Sequence, residues 1–136
     1  INKEMPNDLN KIIKNNISKK NNKILIVGAS YKKNVGDTRY SASKVVFDHT
    51  KKLSKYIDFY DPYVQYWPEC KLHSIKDLNI KLYYDLIIFL VDHDKLKKIK
   101  KFNFKSKTKI IEVGNIINSN VRNKIKKNKN QIYINY

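Results

Sequence analysis

Residues 23–41 read KILIVGASYKKNVGDTRYS, and this stretch decides how the rest of the chain is interpreted. Lys23 to Gly28 is a continuous apolar run that ends in glycine, which is typical of a strand buried on both faces of a sheet. A polar loop from Ala29 to Tyr40 follows, and Ser41 is placed to cap a helix that we expect to reach about Tyr56. A buried strand, a long loop and a helix in this order predict one α/β unit.

The residues downstream repeat the alternation of strand and helix. Apolar runs bounded by polar or turn residues predict four further strands, at 57–60, 85–91, 109–113 and 132–136. Helices are expected between these strands, at 74–78, 94–101 and 119–127. Because parallel strands need crossover connections, the alternation predicts an α/β fold with a doubly wound parallel sheet.

The residues before this domain have a helical pattern of their own. Pro6 suits a first helical turn, and apolar residues recur at helical spacing at Ile1, Met5, Leu9, Ile12, Ile13 and Ile17. The polar residues 18–22 then predict a linker, so we divide the chain into a helix at 1–17, a linker at 18–22 and an α/β domain at 23–136. The chain begins without methionine, and we therefore expect a piece of a longer protein.

Length and composition restrict the class of protein. The 136 residues suffice for one ordinary domain, and a hydrophobic fraction of 41% argues against disorder. Cys70 is the only cysteine, so no internal disulfide is possible, which fits a reducing cytoplasm. The longest apolar run, Leu86 to Val91, is too short to cross a bilayer, and we expect no membrane partner.

The net charge of +17 is the strongest compositional feature. It arises from 29 basic and 12 acidic residues, and the only arginines are Arg39 and Arg122. Proteins that read nucleic acid usually cluster their charge and favour arginine, whereas the lysines here are spread along the chain. We expect a solvated lysine surface and no specific nucleic-acid partner, with non-specific polyanion binding as an alternative.

Most familiar catalytic and cofactor motifs are missing. The glycine fingerprint of dinucleotide-binding loops would follow the first strand, but Gly28 is the only one of its three glycines present. Asp61 ends the second strand like a ribose-binding acid, yet it lies too far along the chain from Gly28 for that motif. The sequence therefore predicts that this domain does not bind NAD.

Three further groups of residues have some features of functional sites. Cys70 and His73 have the spacing of half a zinc site, but no second pair follows, so no metal is expected. Asp92-His93-Asp94 at a strand end is either part of a ligand site or a helix cap, and we favour the cap. His49 falls on the apolar face of a helix and is expected to be packed.

The loop from Ser30 to Ser41 remains the best candidate. It follows the carboxyl end of a strand, carries cations and a tyrosine ring, and leads into a helix N-terminus. Cations suit phosphate groups, and a ring suits a base or a sugar. The residues alone predict either a site for a phosphorylated small molecule or a structural loop.

The same loop carries a resemblance to a known family. Residues 28–41 resemble the G-x-[AS]-[FY]-K-x-[ND]-[VT]-x-D-x-R-x-S stretch of the UDP-glucose/GDP-mannose dehydrogenase family. Three further segments match in the same order: Asn2 with Met5-Pro6, residues 60–64 (YDPYV), and residues 85–94 (DLIIFLVDHD). The sequence of these segments is most similar to that of the UDP-N-acetylglucosamine 6-dehydrogenase branch.

The resemblance implies the C-terminal, UDP-binding, Rossmann-like domain of an enzyme that oxidises a sugar C6 hydroxyl to a carboxylate with NAD. Such an enzyme would make a uronic acid for surface polysaccharide, and the full-length protein is expected to be a homo-oligomer. NAD and the catalytic cysteine would belong to other domains, so no catalytic residue is assigned here. Tyr31 and Lys32 would touch the UDP-sugar, and Asp37 and Arg39 would order the loop as an ion pair.

The chain departs from the family pattern at three places. Tyr40 stands where the family usually has glutamate, Val91 where it has threonine, and Gly114 where it has an arginine that helps to hold the nucleotide. An arginine at position 114 is expected to strengthen UDP binding, provided that this backbone does not need a positive φ. The alternative to a UDP-binding domain is a module that kept the fold and lost substrate recognition.

Overall fold

A computed structural model describes residues 5–136 and contains thirteen helices and strands. In chain order they are α1 (Met5–Asn15), β1 (Lys23–Val27), α2 (Ala42–Lys51), β2 (Tyr56–Tyr60), β3 (Tyr66–Trp67), β4 (Leu72–His73), β5 (Lys81–Leu82), β6 (Leu86–Phe89), α3 (Asp94–Lys97), β7 (Asn103–Phe104), β8 (Lys109–Glu112), α4 (Ser119–Lys127) and β9 (Ile132–Asn135).

The central sheet has five parallel strands in the order β2-β1-β6-β8-β9. All five strands predicted from the apolar runs are present, with bounds that differ by one to three residues, and the doubly wound α/β class is confirmed. The chain leaves β1 toward β2 and leaves β6 toward β8, in opposite directions across the sheet. Such a switch point opens a crevice at the carboxyl ends of β1 and β6, where folds of this kind bind ligands.

Alternate residues of the central strands form two separate cores. Ile24 and Ile26 of β1 face the layer that holds α1 and α2, whereas Leu25 and Val27 face α3 and α4. All four side chains are fully buried, as expected for a strand that is covered on both faces. The helix α1 belongs to the first layer, because its Leu9 and Ile13 are buried in that core.

The prediction of a helix at 74–78 is wrong. The residues just before it form a small antiparallel hairpin, in which Trp67 pairs with Leu72. The N–H of Ser74 then bonds the carbonyl of Gln65, and the N–H of Ile75 bonds the carbonyl of Phe59. These bonds tie the start of the segment to β2 and to the residue before β3, and residues 74–78 form no helix.

Two other helices are shorter than predicted. α2 ends at Lys51 rather than near Tyr56, because the chain turns at Thr50, whose carbonyl accepts the N–H of both Leu53 and Ser54. α3 ends at Lys97 rather than at residue 101, since the residues that follow lead to β7, which pairs with β5.

The predicted N-terminal helix is observed as α1 from Met5, and its residues 1–4, which include Ile1 and Asn2, lie outside the described part of the chain. The division into helix, linker and domain stays a prediction. Among residues 5–136, the longest helix has 11 residues, and none is long and apolar enough to cross a membrane.

Candidate functional site

The loop of residues 29–41, here called the β1–α2 loop, leaves the sheet at the switch point. Tyr31 is half exposed and Lys32 is exposed, and the Lys32 Nζ lies 5.4 Å from the centre of the Tyr31 ring. Within residues 5–136, no carboxylate forms an ion pair with Lys32 or with its exposed neighbour Lys33. The loop therefore presents a ring and an uncompensated cation side by side.

Asp37 and Arg39 form a two-pronged ion pair within the same loop. Arg39 Nε donates to Asp37 Oδ1 at 3.0 Å, and Arg39 Nη2 donates to Oδ2 at 2.8 Å. These hydrogen bonds, with one from the Arg39 backbone N–H, lower the pKa of Asp37 to about 2. The carbonyl of Asp37 also accepts the N–H of Tyr31 at 2.9 Å, which closes the loop. Arg39 is thus neutralised locally, whereas Lys32 is not.

A buried histidine fastens the first half of the loop to the sheet. His93 is fully buried, and its Nε2 lies 2.9 Å from Asp61 Oδ2 and 3.2 Å from Ser30 Oγ. Its Nδ1 accepts the N–H of Asn34 at 2.8 Å, so Nε2 carries the proton and the ring is neutral. His93 occupies the N-cap position of α3, as the helix-cap interpretation predicts, but its side chain makes no capping hydrogen bond and turns to the loop instead.

Asp61 lies much closer to Gly28 than its position in the sequence indicates. Its Oδ2 accepts the N–H of Ala29 at 2.8 Å and that of Ser30 at 3.3 Å. Its Oδ1 accepts the N–H of Tyr63 at 2.8 Å, and the residue is 4% exposed. Because β1 and β2 are neighbours, Asp61 lies beside the residues that follow Gly28 although it is distant along the chain. This carboxylate is buried and bonded to the chain's own backbone, so it is not exposed to a ribose.

Asn34 holds the turn of the β1–α2 loop in a left-handed conformation, with φ of 63°. Its Nδ2 donates to Asp94 Oδ2 and its Oδ1 accepts the N–H of Asp94, both at 2.9 Å. Two residues on, a Cβ at Gly36 would lie 2.6 Å from the Tyr63 carbonyl oxygen. The loop is therefore fixed to the segments that follow β2 and β6.

Gly28 is required by the packing of the chain itself. Its φ is +106°, and a Cβ there would lie 2.7 Å from the backbone N and 2.8 Å from the Cβ of Val91. Val91 is thus seated directly against the glycine where a dinucleotide-binding loop would bring its backbone to a pyrophosphate. With Asp61 already occupied, the described residues do not fit NAD at this position.

The edge after β8 is organised by a buried carboxylate, Glu112. Arg122 of α4 donates to its two oxygens at 2.6 and 2.7 Å, and the N–H groups of Ile116 and Ile117 donate at 2.6 and 2.8 Å. The Tyr133 hydroxyl is a further donor. Burial by itself raises the pKa of Glu112, but the Arg122 hydrogen bond and the other donors outweigh it, so the pKa is lowered.

Gly114 follows this cluster at the carboxyl edge of the sheet. A Cβ there would meet nothing within 4 Å, but the φ is +75°. Its N–H donates to the carbonyl of Tyr136 at 3.1 Å, and its carbonyl accepts from Asn135 Nδ2 at 2.9 Å. The prediction for Gly114→Arg required a backbone without a positive φ, and this condition fails. A side chain at position 114 would have room, but it would strain the backbone by about 1–2 kcal/mol.

The remaining candidate groups do not join this site. Burial raises the pKa of Cys70 to about 12, and the exposed His73 ring packs at a tilt of 50° against the Tyr66 ring, with centroids 4.7 Å apart. Across residues 5–136, no three His, Cys, Asp or Glu side chains are grouped to hold a metal ion. His49 is half-buried on α2.

The fold and the β1–α2 loop together define a doubly wound α/β domain. At its switch point the domain presents the Tyr31 ring and the Lys32 cation, an arrangement that suits a nucleotide. The model of the UDP-glucose/GDP-mannose dehydrogenase family, UDP binding domain, matches residues 25–119. The chain belongs to this family of NAD-dependent dehydrogenases and corresponds to its UDP-binding domain.

Curated relatives support the same assignment. UDP-N-acetyl-D-mannosamine dehydrogenase of Methanococcus vannielii is 38% identical over 105 residues, covering 73% of this chain, and that of Methanococcus aeolicus is 33% identical over 107 residues, covering 74%. The chain spans about a quarter (24%) of the length of these curated relatives. They are named for N-acetylmannosamine, and similarity to the N-acetylglucosamine branch stays a prediction.

Solved structures show the same fold. A UDP-N-acetyl-mannosamine dehydrogenase from S. aureus matches 99% of this chain and 31% of its own, with a TM-score of 0.73 and 23% identity. A UDP-D-ManNAc dehydrogenase from Pyrococcus horikoshii matches 98% of this chain and 31% of its own, with a TM-score of 0.71 and 22% identity.

Proposed function

We propose that this chain supplies the nucleotide site of an NAD-dependent UDP-sugar 6-dehydrogenase, with UDP bound against Tyr31 and Lys32. Lys32 would face the diphosphate, and the Tyr31 ring would face the base or a sugar. Asp37 and Arg39 would keep the loop in shape without touching the ligand. NAD and the cysteine that forms the covalent intermediate would come from the other domains of the full-length enzyme.

The uncompensated charge of Lys32 is the observation that carries this proposal. The arginine of the same loop is neutralised by Asp37, so Lys32 and Lys33 remain the loop's cations without a carboxylate in the described part of the chain. Lys32 is the one that lies over a tyrosine ring. An exposed cation beside a ring on an anchored loop suits a nucleotide diphosphate, because the protein orders little on binding.

At the level of the whole protein, the proposed reaction oxidises the sugar C6 hydroxyl to a carboxylate. The product would be a uronic acid for surface polysaccharide, made in the cytoplasm by a homo-oligomeric enzyme. Family membership and relatives named as UDP-sugar dehydrogenases support this. The described chain supplies binding and orientation of the nucleotide half, and no catalytic residue is assigned to it.

Calorimetric titration with UDP tests the site. Lys32→Ala should weaken binding about tenfold or more, since a hydrogen bond to a charged group contributes about 1.5–3 kcal/mol. Lys33→Ala is the matched control, because it removes the same charge from the next residue and should change affinity less than about threefold. Equal losses for the two variants would instead assign binding to diffuse charge.

The second candidate is a module that kept the fold without substrate recognition. The observation that favours it is Gly114, which offers no side chain where the family pattern places an arginine. This alternative predicts a cooperatively folding chain that gives no heat with UDP at millimolar concentration.

A further inference from the structure

The geometry points to His93 as a positioning residue that holds Lys32 in place for the nucleotide, an inference that rests on the proposed function. His93 itself is 0% exposed and cannot touch a ligand. Its effect would pass through the backbone of residues 30–34 to the side chain of Lys32.

His93 reaches this segment from both of its ring nitrogens. Nδ1 accepts the N–H of Asn34, and Nε2 lies within hydrogen-bond distance of Asp61 and of the Ser30 hydroxyl. Ser30 Oγ donates in turn to the Lys32 carbonyl at 2.8 Å. Lys32 therefore lies between two residues that the same imidazole contacts: it holds Asn34 directly through the backbone N–H, and it reaches Ser30 only through the side-chain hydroxyl.

The strain at Asn34 shows why the restraint is needed. Asparagine adopts the left-handed conformation more readily than other non-glycine residues, but this conformation still persists only where surrounding contacts favour it. Here the contacts are the hydrogen bond from Asn34 N–H to His93 and the reciprocal pair with Asp94. Without His93, the backbone between Ser30 and Asn34 would have more than one conformation, and binding would have to order it.

Three substitutions separate the two nitrogens. His93→Ala removes both contacts and should weaken UDP binding about tenfold, because ordering a residue costs about 1–2 kcal/mol. In His93→Asn the amide oxygen lies where Nδ1 was and accepts the Asn34 N–H, so affinity should return to within about threefold of the unaltered chain. His93→Gln reaches toward Asp61 instead and should bind as weakly as His93→Ala.

A double-mutant cycle distinguishes positioning from a general loss of stability. If His93 acts through Lys32, adding His93→Ala to Lys32→Ala should weaken binding less than about twofold further. All titrations are made at a temperature where melts show each variant to be folded. Additive losses in the double variant, or a His93→Ala chain that binds UDP normally, would overturn the inference.

Amide hydrogen exchange separates this inference from the proposed function. In His93→Ala, the amide of Asn34 should exchange at least tenfold faster, while the amides of β8 stay unchanged. If the unaltered chain binds no UDP, the proposed function fails, and the exchange result still decides whether His93 restrains the loop. Unchanged exchange at Asn34 would refute the restraint itself.

Discussion

Replacing Glu112 by glutamine should destabilise the fold more than any surface change of equal size. The carboxylate accepts two hydrogen bonds from Arg122, two from backbone N–H groups and one from Tyr133. Glutamine keeps the shape, but it removes the charge and turns an NH2 group toward donors. Breaking a buried ion pair costs about 3–5 kcal/mol, and we expect the lower end because Arg122 remains 15% exposed.

The assay is urea unfolding followed by circular dichroism at pH 7, with a thermal melt beside it. A loss of about 3 kcal/mol corresponds to a melting temperature lower by roughly 10 °C in a domain of this size. The matched control is Asp48→Asn, which breaks the exposed pair with Lys44 and should cost less than about 0.5 kcal/mol. A Glu112→Gln chain within about 1 kcal/mol of the unaltered one would refute the argument.

The pH dependence gives an independent check. Because the pKa of Glu112 is lowered in the folded state, its stabilisation is complete above the ordinary carboxyl value and is lost as the pH falls through the folded pKa. The stability difference between the two chains should therefore be constant near neutral pH and narrow below about pH 4. A difference that widens in acid would contradict the assigned charge.

The remaining predictions concern two glycines, the Cys70 thiol and the formation of NADH. Gly28→Ala should cost about 3 kcal/mol or more in urea unfolding, because its Cβ would meet Val91, whereas Gly114→Ala should cost only about 1–2 kcal/mol. Gly114→Arg should show a similar loss in a melt even if calorimetry finds tighter UDP binding. Cys70, with its pKa raised to about 12, should react with iodoacetamide at pH 8 far more slowly than after unfolding. The chain alone should form no NADH from NAD and any UDP-sugar, and steady formation by pure protein would contradict this.

Much of the candidate site could be named from the sequence, but not its internal contacts. Tyr31, Lys32, Asp37 and Arg39 lie on one short loop, so a motif records them together. The Asp37–Arg39 pair spans only two residues, which a local pattern can express. The restraint by His93 was missed, although residues that follow neighbouring parallel strands meet at one edge of the sheet.

The sequence by itself determined the five strands, their parallel arrangement and the family. Buried strands are continuous apolar runs, and alternation with helices requires crossovers, so both features are local in the chain. Only the tertiary structure decided that residues 74–78 form no helix, that Asp61 meets His93 across 32 residues, and that Gly114 has a positive φ. These outcomes depend on which distant backbone groups come within hydrogen-bond distance, and strand order and register set those distances.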